Sequence, residues 1–339
     1  MKILFIGGNG NISWHCTMKA LEEGHAVYAL NRGQSTGSRR PLPESVVHLK
    51  ADIRDVKAVK AQLGKLEFDA VVDFVCYNQE QAETSIELFT TNIKQYVFIS
   101  STANYQRRIT QLPFTEAIPL TNSGWLYSKN KIACEEVFMR ARQSKGFPVT
   151  IVRPGHTYDT IIPDAVGYGD WTVTSRIIAE KPVVIHGDGT SLWTLTHSQD
   201  FAGALIRLLG DKRSIGEAYH ITSDEMLTWR EILQKEAAAL GVKKLNVLYI
   251  PSSEILRRDA SLGNGLLGHK SWCDIYDNAK IKSIAAGWKA QVSFDEGIAR
   301  TYGWFRQDTR RQTINGKMNS FFDSLVAEFK PVCQAERLL

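Results

Sequence analysis

A glycine-rich run, Gly7-Gly8-Asn9-Gly10-Asn11-Ile12-Ser13, directly follows a short apolar segment, Lys2-Ile3-Leu4-Phe5-Ile6. A strand that ends in such a turn and leads into a helix lets backbone approach a pyrophosphate. It also aims the free N–H groups and positive end of the helix at that group. The context supports this reading, because helical spacing follows the turn and a second β-rich run begins at His25. Gly7, Gly8, Gly10, Asn11 and Ile12 are therefore the expected pyrophosphate cradle of a dinucleotide site. Ser13 replaces the third glycine of the pattern and is still small.

Short β-rich runs then alternate with longer helical ones. Strands are expected at Lys2 to Ile6, His25 to Leu30, Val46 to Ala51, Ala70 to Phe74, Tyr96 to Ser100 and Val149 to Val152. Several are apolar at consecutive positions, as strands covered on both faces must be. Helical spacing falls at Ile12 to Glu23, Asp55 to Leu63, Gln79 to Asn92 and Ser128 to Ser144. The pattern predicts an α/β chain with a Rossmann-type doubly wound parallel sheet of six or seven strands over residues 1–153. After Arg153-Pro154 the alternation breaks down. Residues 154–339 are expected to form mainly a smaller α/β substrate lobe, with some segments returning to the first. Helices are expected there at Trp171 to Glu180, Asp200 to Leu209, Thr228 to Leu240 and Asn315 to Phe329, the last with one apolar face suited to packing.

An NAD enzyme usually presents an acidic residue to the adenosine ribose at the end of the second strand, and this chain has Asn31-Arg32. Without that carboxylate a 2′-phosphate is not repelled, and Arg32, helped by Arg39 or Arg40, supplies opposite charge. NADP is thereby favoured over NAD, although Asn31 can still bond a plain ribose hydroxyl. Asp52-Ile53 is placed to meet the adenine, and Phe74-Val75-Cys76 to pass beneath the pyrophosphate and nicotinamide ribose. Cys76 reads as a small apolar filler, Trp14 as local packing and His15 as a surface or capping residue.

Tyr127 and Lys131 stand four apart at the start of a helix and so share a face. An ammonium beside a phenol favours the phenolate and lowers its pKa, which fits the tyrosine to exchange a proton with an alcohol or carbonyl. Ser100-Ser101-Thr102, at the end of the fifth strand, offers hydroxyls for the same substrate oxygen.

Taken in order, GGNGNIS at 7–13, FISSTANY at 98–105, YSKNK at 127–131, VRPGHTYD at 152–159, HGDGTSLWTLTHSQDFA at 186–202 and FDEGIARTYGW at 294–304 resemble one family. It is the NAD-dependent epimerase/dehydratase family of extended short-chain dehydrogenase/reductases. The resemblance implies Tyr127 as the acid/base, Lys131 on the nicotinamide ribose, and Ser101, or less readily Thr102, on the reacting oxygen. It places Ser100 and Pro154 along the nicotinamide and His156 and Tyr158 on the substrate side. Trp171 and Trp193 are candidates to stack on a sugar ring, and Asp200 has a structural place. The arginine that often contacts a nucleotide diphosphate is here Leu192 or Trp193, which counts against nucleotide-sugar recognition. The short connection after Cys76 and the Asn-Arg-Gly at 31–33 look closer to a divergent branch that includes the chloroplast stem-loop RNA-binding proteins.

The expected activity is hydride transfer at a secondary alcohol or ketone carbon of a sugar, nucleotide sugar or carbohydrate-like small molecule, ending in epimerisation or reduction. A dehydratase is less favoured because no Asp-Glu elimination pair accompanies Thr102. The alternatives are an NADPH-dependent ketoreductase of a small carbonyl compound, a non-catalytic RNA-binding relative and a cofactor-sensing regulatory protein. Forty-one Lys+Arg against 36 Asp+Glu are dispersed along the chain, so composition does not argue for nucleic acid. No apolar run reaches the roughly 18 residues of a membrane span. Five scattered cysteines without a C-x-x-C pair suggest neither a disulfide framework nor zinc, and point to a reducing cytoplasm. The eight histidines lack metal-ligand spacing, so no metal is expected. The resemblance also implies a homodimer.

Overall fold

The computed structural model describes residues 1–33, 40–107, 109–122 and 124–329, together with the backbone of 334–337. Six strands, β1 (Lys2–Ile6), β2 (Ala26–Asn31), β3 (Val47–Lys50), β4 (Ala70–Asp73), β5 (Tyr96–Ile99) and β6 (Val149–Pro154), join a seventh, Ala218–Ile221, in one sheet. Its order is Ala218–Ile221, β6, β5, β4, β1, β2, β3, and every pairing is parallel. The order reverses beside β1, and such a switch opens a crevice at the carboxyl ends of the strands.

The consecutive apolar residues of β1 serve two cores at once. Ile3 and Phe5 join Ala202 and Leu205 on one face, whereas Leu4 and Ile6 join Val59 and Phe138 on the other. Helix α1 (Ser13–Glu22) and the later helix Ser198–Leu208 cover the first face. Helices α2 (Val56–Leu63), α3 (Gln79–Phe89) and α4 (Leu126–Lys145) cover the second. Helix α3 stops at Phe89, short of the expected Asn92, because Asn92 and Lys94 turn to bond the backbone of Phe68 alongside β4.

The smaller lobe carries a three-stranded sheet of Val183–His186, Lys244–Ile250 and Gln334–Arg337. Trp193, Trp229, Phe294 and Ile298 centre its core, into which the helix Gly316–Phe329 inserts Met318, Phe322 and Leu325. Cys16, Cys76, Cys134 and Cys273 are free thiols. Among the described residues no helix is long and apolar enough to cross a membrane, and no group of three His, Cys, Asp or Glu could hold a metal.

Candidate active site

The glycine turn closes at the carboxyl end of β1. Gly7 has φ +81°, and a Cβ there would sit 2.6 Å from Val75 Cγ1, so only glycine fits without displacement. At Gly8 a Cβ would meet Phe5, Thr17 and Ala29 at 3.1 to 3.3 Å. Ser13 holds the turn together: its Oγ donates to the Gly7 carbonyl at 2.5 Å and accepts from the Gly10 N–H at 2.7 Å. No side chain caps α1. The Asn11 side chain pins the 157–160 segment, donating to the Thr157 carbonyl at 3.3 Å and accepting from the Thr160 N–H at 2.9 Å. Ile12 packs against the core that α1 covers. This tight, uncapped turn fits the pyrophosphate of a dinucleotide.

On the adenosine side Asn31 is half-buried and Arg32 exposed. Asp52 is gripped by Arg54 at 2.8 and 2.5 Å, which holds its carboxyl down at about 2. Ile53 and Val75 pack against the α2–α4 core, and Phe74 against the opposite one. Arg39 lies outside the described residues. The expectation that Arg40 helps read a 2′-phosphate is corrected, because its guanidinium pairs with buried Asp159 at 2.6 Å. It is also stacked 4.7 Å from the rings of both Trp14 and Trp304. His15 joins the same carboxylate at 3.1 Å and is not a surface residue.

Tyr127 and Lys131 lie on the first turns of α4, with Ser101 beside the Tyr127 phenol. The serine favours the phenolate, but enclosure by protein outweighs it and raises the phenol above its ordinary value. Lys131 was expected to lower it. Instead Lys131 Nζ donates to the carbonyls of Cys76, at 2.7 Å, and Ile99, at 2.8 Å, between the rings of Tyr77 and Phe98. The ammonium is thus held against the ends of β4 and β5, and burial lowers its own pKa.

The three hydroxyls after β5 separate in role. Ser101 faces Tyr127 and also caps a short turn through the Ala103 N–H at 3.1 Å. Ser100, expected at the cofactor, instead donates to Glu135 Oε1 at 2.5 Å. Thr102 is wholly buried, and its hydroxyl makes no hydrogen bond among the described residues. Ser101 therefore stands as the candidate beside the tyrosine. The sequence reading passed over Glu135, one turn beyond Lys131, whose carboxylate receives Ser100, Asn104 at 3.1 Å and both ends of the Arg153 fork. The only signal for it was its i, i+4 spacing from Lys131.

Pro154 ends β6. His156 follows, its ring 6.0 Å from Trp193 and 6.2 Å from Trp229, and enclosure drives its pKa down to about 3 and keeps it neutral. Trp193 is buried against His269 with ring centroids 4.7 Å apart. Three substrate candidates are corrected, Trp193 among them, since it is wholly buried in the smaller lobe's core. Tyr158 packs into the smaller lobe's core against Phe294 and Gly297, and Trp171 stacks on Phe305 at 5.3 Å. Their neighbours come from a helix, Phe294–Arg306, far along the chain.

A roof that the sequence did not announce covers this region. Trp125, 5.0 Å from the Tyr127 ring, lies under Gly265 and Gly268, where a Cβ on Gly268 would come within 2.8 Å of the tryptophan. The Gly268 carbonyl accepts from Asn122 at 2.7 Å. Next to it, His269 and Arg107 share the carboxylate of buried Asp274 at 3.0 and 2.7 Å. Asp200, as expected, is structural: its carboxylate accepts the N–H groups of Gln291 and Val292 at 3.0 and 2.9 Å.

A glycine turn lies at the switch point of the parallel sheet, with Ser101, Tyr127 and Lys131 beside it. The model of the NAD dependent epimerase/dehydratase family matches residues 3–222, and the chain belongs to that family. It is 25% identical to the chloroplast stem-loop binding protein of 41 kDa b of Arabidopsis thaliana, over 98% of this chain and 86% of that one. It is 26% identical to the 2'-dehydrokanamycin reductase of Streptomyces kanamyceticus, over 85% of this chain and 80% of that one. In fold it is similar to the epimerase Mth375 of Methanothermobacter thermautotrophicus, with a TM-score of 0.75, 20% identity and coverage of 92% and 94% of the two chains.

Proposed function

We propose that the protein is an NAD(P)-dependent epimerase or reductase acting at a secondary alcohol or ketone carbon of a carbohydrate-like small molecule. The observation that carries this reading is Ser101 set beside Tyr127, with Lys131 one helical turn on and the glycine cradle alongside. The nicotinamide, when bound, gives or takes the hydride. Ser101 orients the substrate oxygen, and Tyr127 gives that oxygen a proton on reduction or removes one on oxidation. The raised phenol keeps Tyr127 protonated at neutral pH, the form that reduction needs. Lys131 would hold the ribose from the ends of β4 and β5. Pro154 and His156 border the nicotinamide, and neutral His156 offers hydrogen bonds without charge.

Relatives named as a reductase and an epimerase support either outcome. Buried Trp193, in the segment where the family resemblance expects an arginine, favours a substrate without a nucleotide diphosphate. NADP is favoured over NAD through Arg32. Native mass spectrometry followed by identification of released nucleotide is the first test. Retained nucleotide fits an epimerase that regenerates its cofactor in place, and exchangeable NADPH fits a reductase. A Tyr127→Phe variant with undiminished turnover would overturn the mechanism. Salt-sensitive RNA affinity with no nucleotide binding would replace it with the stem-loop-binding reading.

A further inference from the structure

Cys76 and Cys134 are 58 positions apart in the chain, yet their sulfurs lie 3.9 Å apart beneath the cofactor crevice. The reaction above uses neither thiol. Cys76 follows β4, and its carbonyl is one of the two that hold Lys131 Nζ. Cys134 lies on α4, three positions beyond Lys131. Both are buried, and Cys76 borders a narrow crevice lined by Ile53, Val75 and Gln81.

We propose that Cys76 and Cys134 form a reversible redox site, at which a hydroperoxide converts the two thiols to a disulfide and so weakens dinucleotide binding. The Cys134 sulfur attacks one peroxide oxygen and breaks the O–O bond, giving a sulfenic acid and releasing water or an alcohol. Cys76 then attacks that sulfur; the S–S bond forms, the S–O bond breaks, and the departing hydroxyl leaves as water with the second thiol proton. Two thiols lose two electrons, and the peroxide takes them. The Cys134 thiol is prepared for its step: the Cys76 S–H donates to it and the Lys131 charge is near, both favouring its thiolate.

A disulfide needs its sulfurs about 2.05 Å apart, so the pair must close by nearly half its present separation. Closure pulls the Cys76 segment toward α4. The Val75 wall of the Gly7 cradle and the carbonyl that holds Lys131 belong to that segment. The thiol chemistry stands by itself, while its effect on nucleotide affinity rests on the dinucleotide reading above.

The test treats the reduced full-length protein with hydrogen peroxide, maps cross-linked peptides by mass spectrometry, and titrates NADH and NADPH before oxidation, after it, and after dithiothreitol. The expected result is a Cys76–Cys134 link, a rise in Kd of about tenfold or more, and recovery on reduction. Cys134→Ala and Cys134→Ser should each bind nucleotide normally and ignore peroxide, while Cys16→Ala should remain sensitive. Persistence of both thiols, or a link that leaves affinity unchanged, overturns the proposal. If the reduced protein binds neither nucleotide, the dinucleotide reading and the proposed effect on affinity both fall, and the peptide map decides the thiol chemistry.

Discussion

Arg153 reaches both carboxylate oxygens of Glu135, through Nε at 3.0 Å and Nη2 at 2.6 Å, and so joins β6 to the helix that carries Tyr127 and Lys131. Both side chains are buried. Ser100 and Asn104 add their own hydrogen bonds to Glu135, so the strand that ends at Pro154, the Ser101 loop and α4 are held as one unit.

Glu135→Gln removes the charge opposite a buried guanidinium. Denaturant unfolding should show a loss of roughly 3–5 kcal/mol, the usual cost of leaving one half of such a pair uncompensated. A loss below about 1 kcal/mol would mean that water or another acceptor takes over the arginine.

Tyr127→Phe keeps the ring and removes the transferable proton. Turnover should fall by about 10²–10⁴, the usual worth of a positioned acid or base. Nucleotide affinity, read by NAD(P)H fluorescence, should stay within about threefold of the parent.

Gly7→Ala asks an L-residue to adopt φ +81° and puts a methyl 2.6 Å from Val75 Cγ1. A penalty of about 1–3 kcal/mol is expected. It should appear as weaker nucleotide binding, and an unchanged Kd would remove Gly7 from the cradle.

Asp164 is buried in the smaller lobe, with Oδ2 bonded to the Gly169 N–H at 2.8 Å, and burial lifts its pKa to about 7. A folded-state value above the unfolded one means that the native state binds the extra proton between about pH 4 and pH 7. Asp164 therefore favours folding less as pH rises through that window. The buried neutral histidines His156, His186 and His220 act in the opposite sense below about pH 6.5. Asp164→Asn isolates the carboxyl: relative to the parent, its Tm should gain between pH 5 and pH 8. A difference that stays flat with pH would sink the assignment.

Arg32→Ala tests the cofactor preference. The Kd for NADPH should rise about tenfold while that for NADH changes little, as expected for loss of one exposed charge-assisted contact. Equal changes for both nucleotides would place Arg32 elsewhere.

Much of the parallel sheet was legible because strands covered on both faces need consecutive apolar residues, and β1, β4, β5 and β6 have them. The glycine cradle was legible for a backbone reason that does not depend on distant partners. Aromatic side chains were harder to place. Nothing local to Trp171 or Tyr158 distinguishes a sugar platform from core packing, and Phe305 and Gly297 decide the matter from more than 130 positions away. Arg40 was misread for the same reason, because Asp159 claims its charge from across the fold. The i, i+4 spacing puts Lys131 on the face of Tyr127, but the carbonyls of Cys76, beyond β4, and of Ile99, at the end of β5, decide where its ammonium points.

The seventh strand has a consequence for biosynthesis. Residues 218–221 cover the edge of β6, and Gln95 and Thr150 close the same edge through Ser214. At elongation rates of about 5–20 residues per second, a nascent chain carries that hydrophobic edge unpaired for several seconds after Pro154 has left the ribosome. Any product truncated before Ile221 keeps it unpaired permanently, as an open template for other chains.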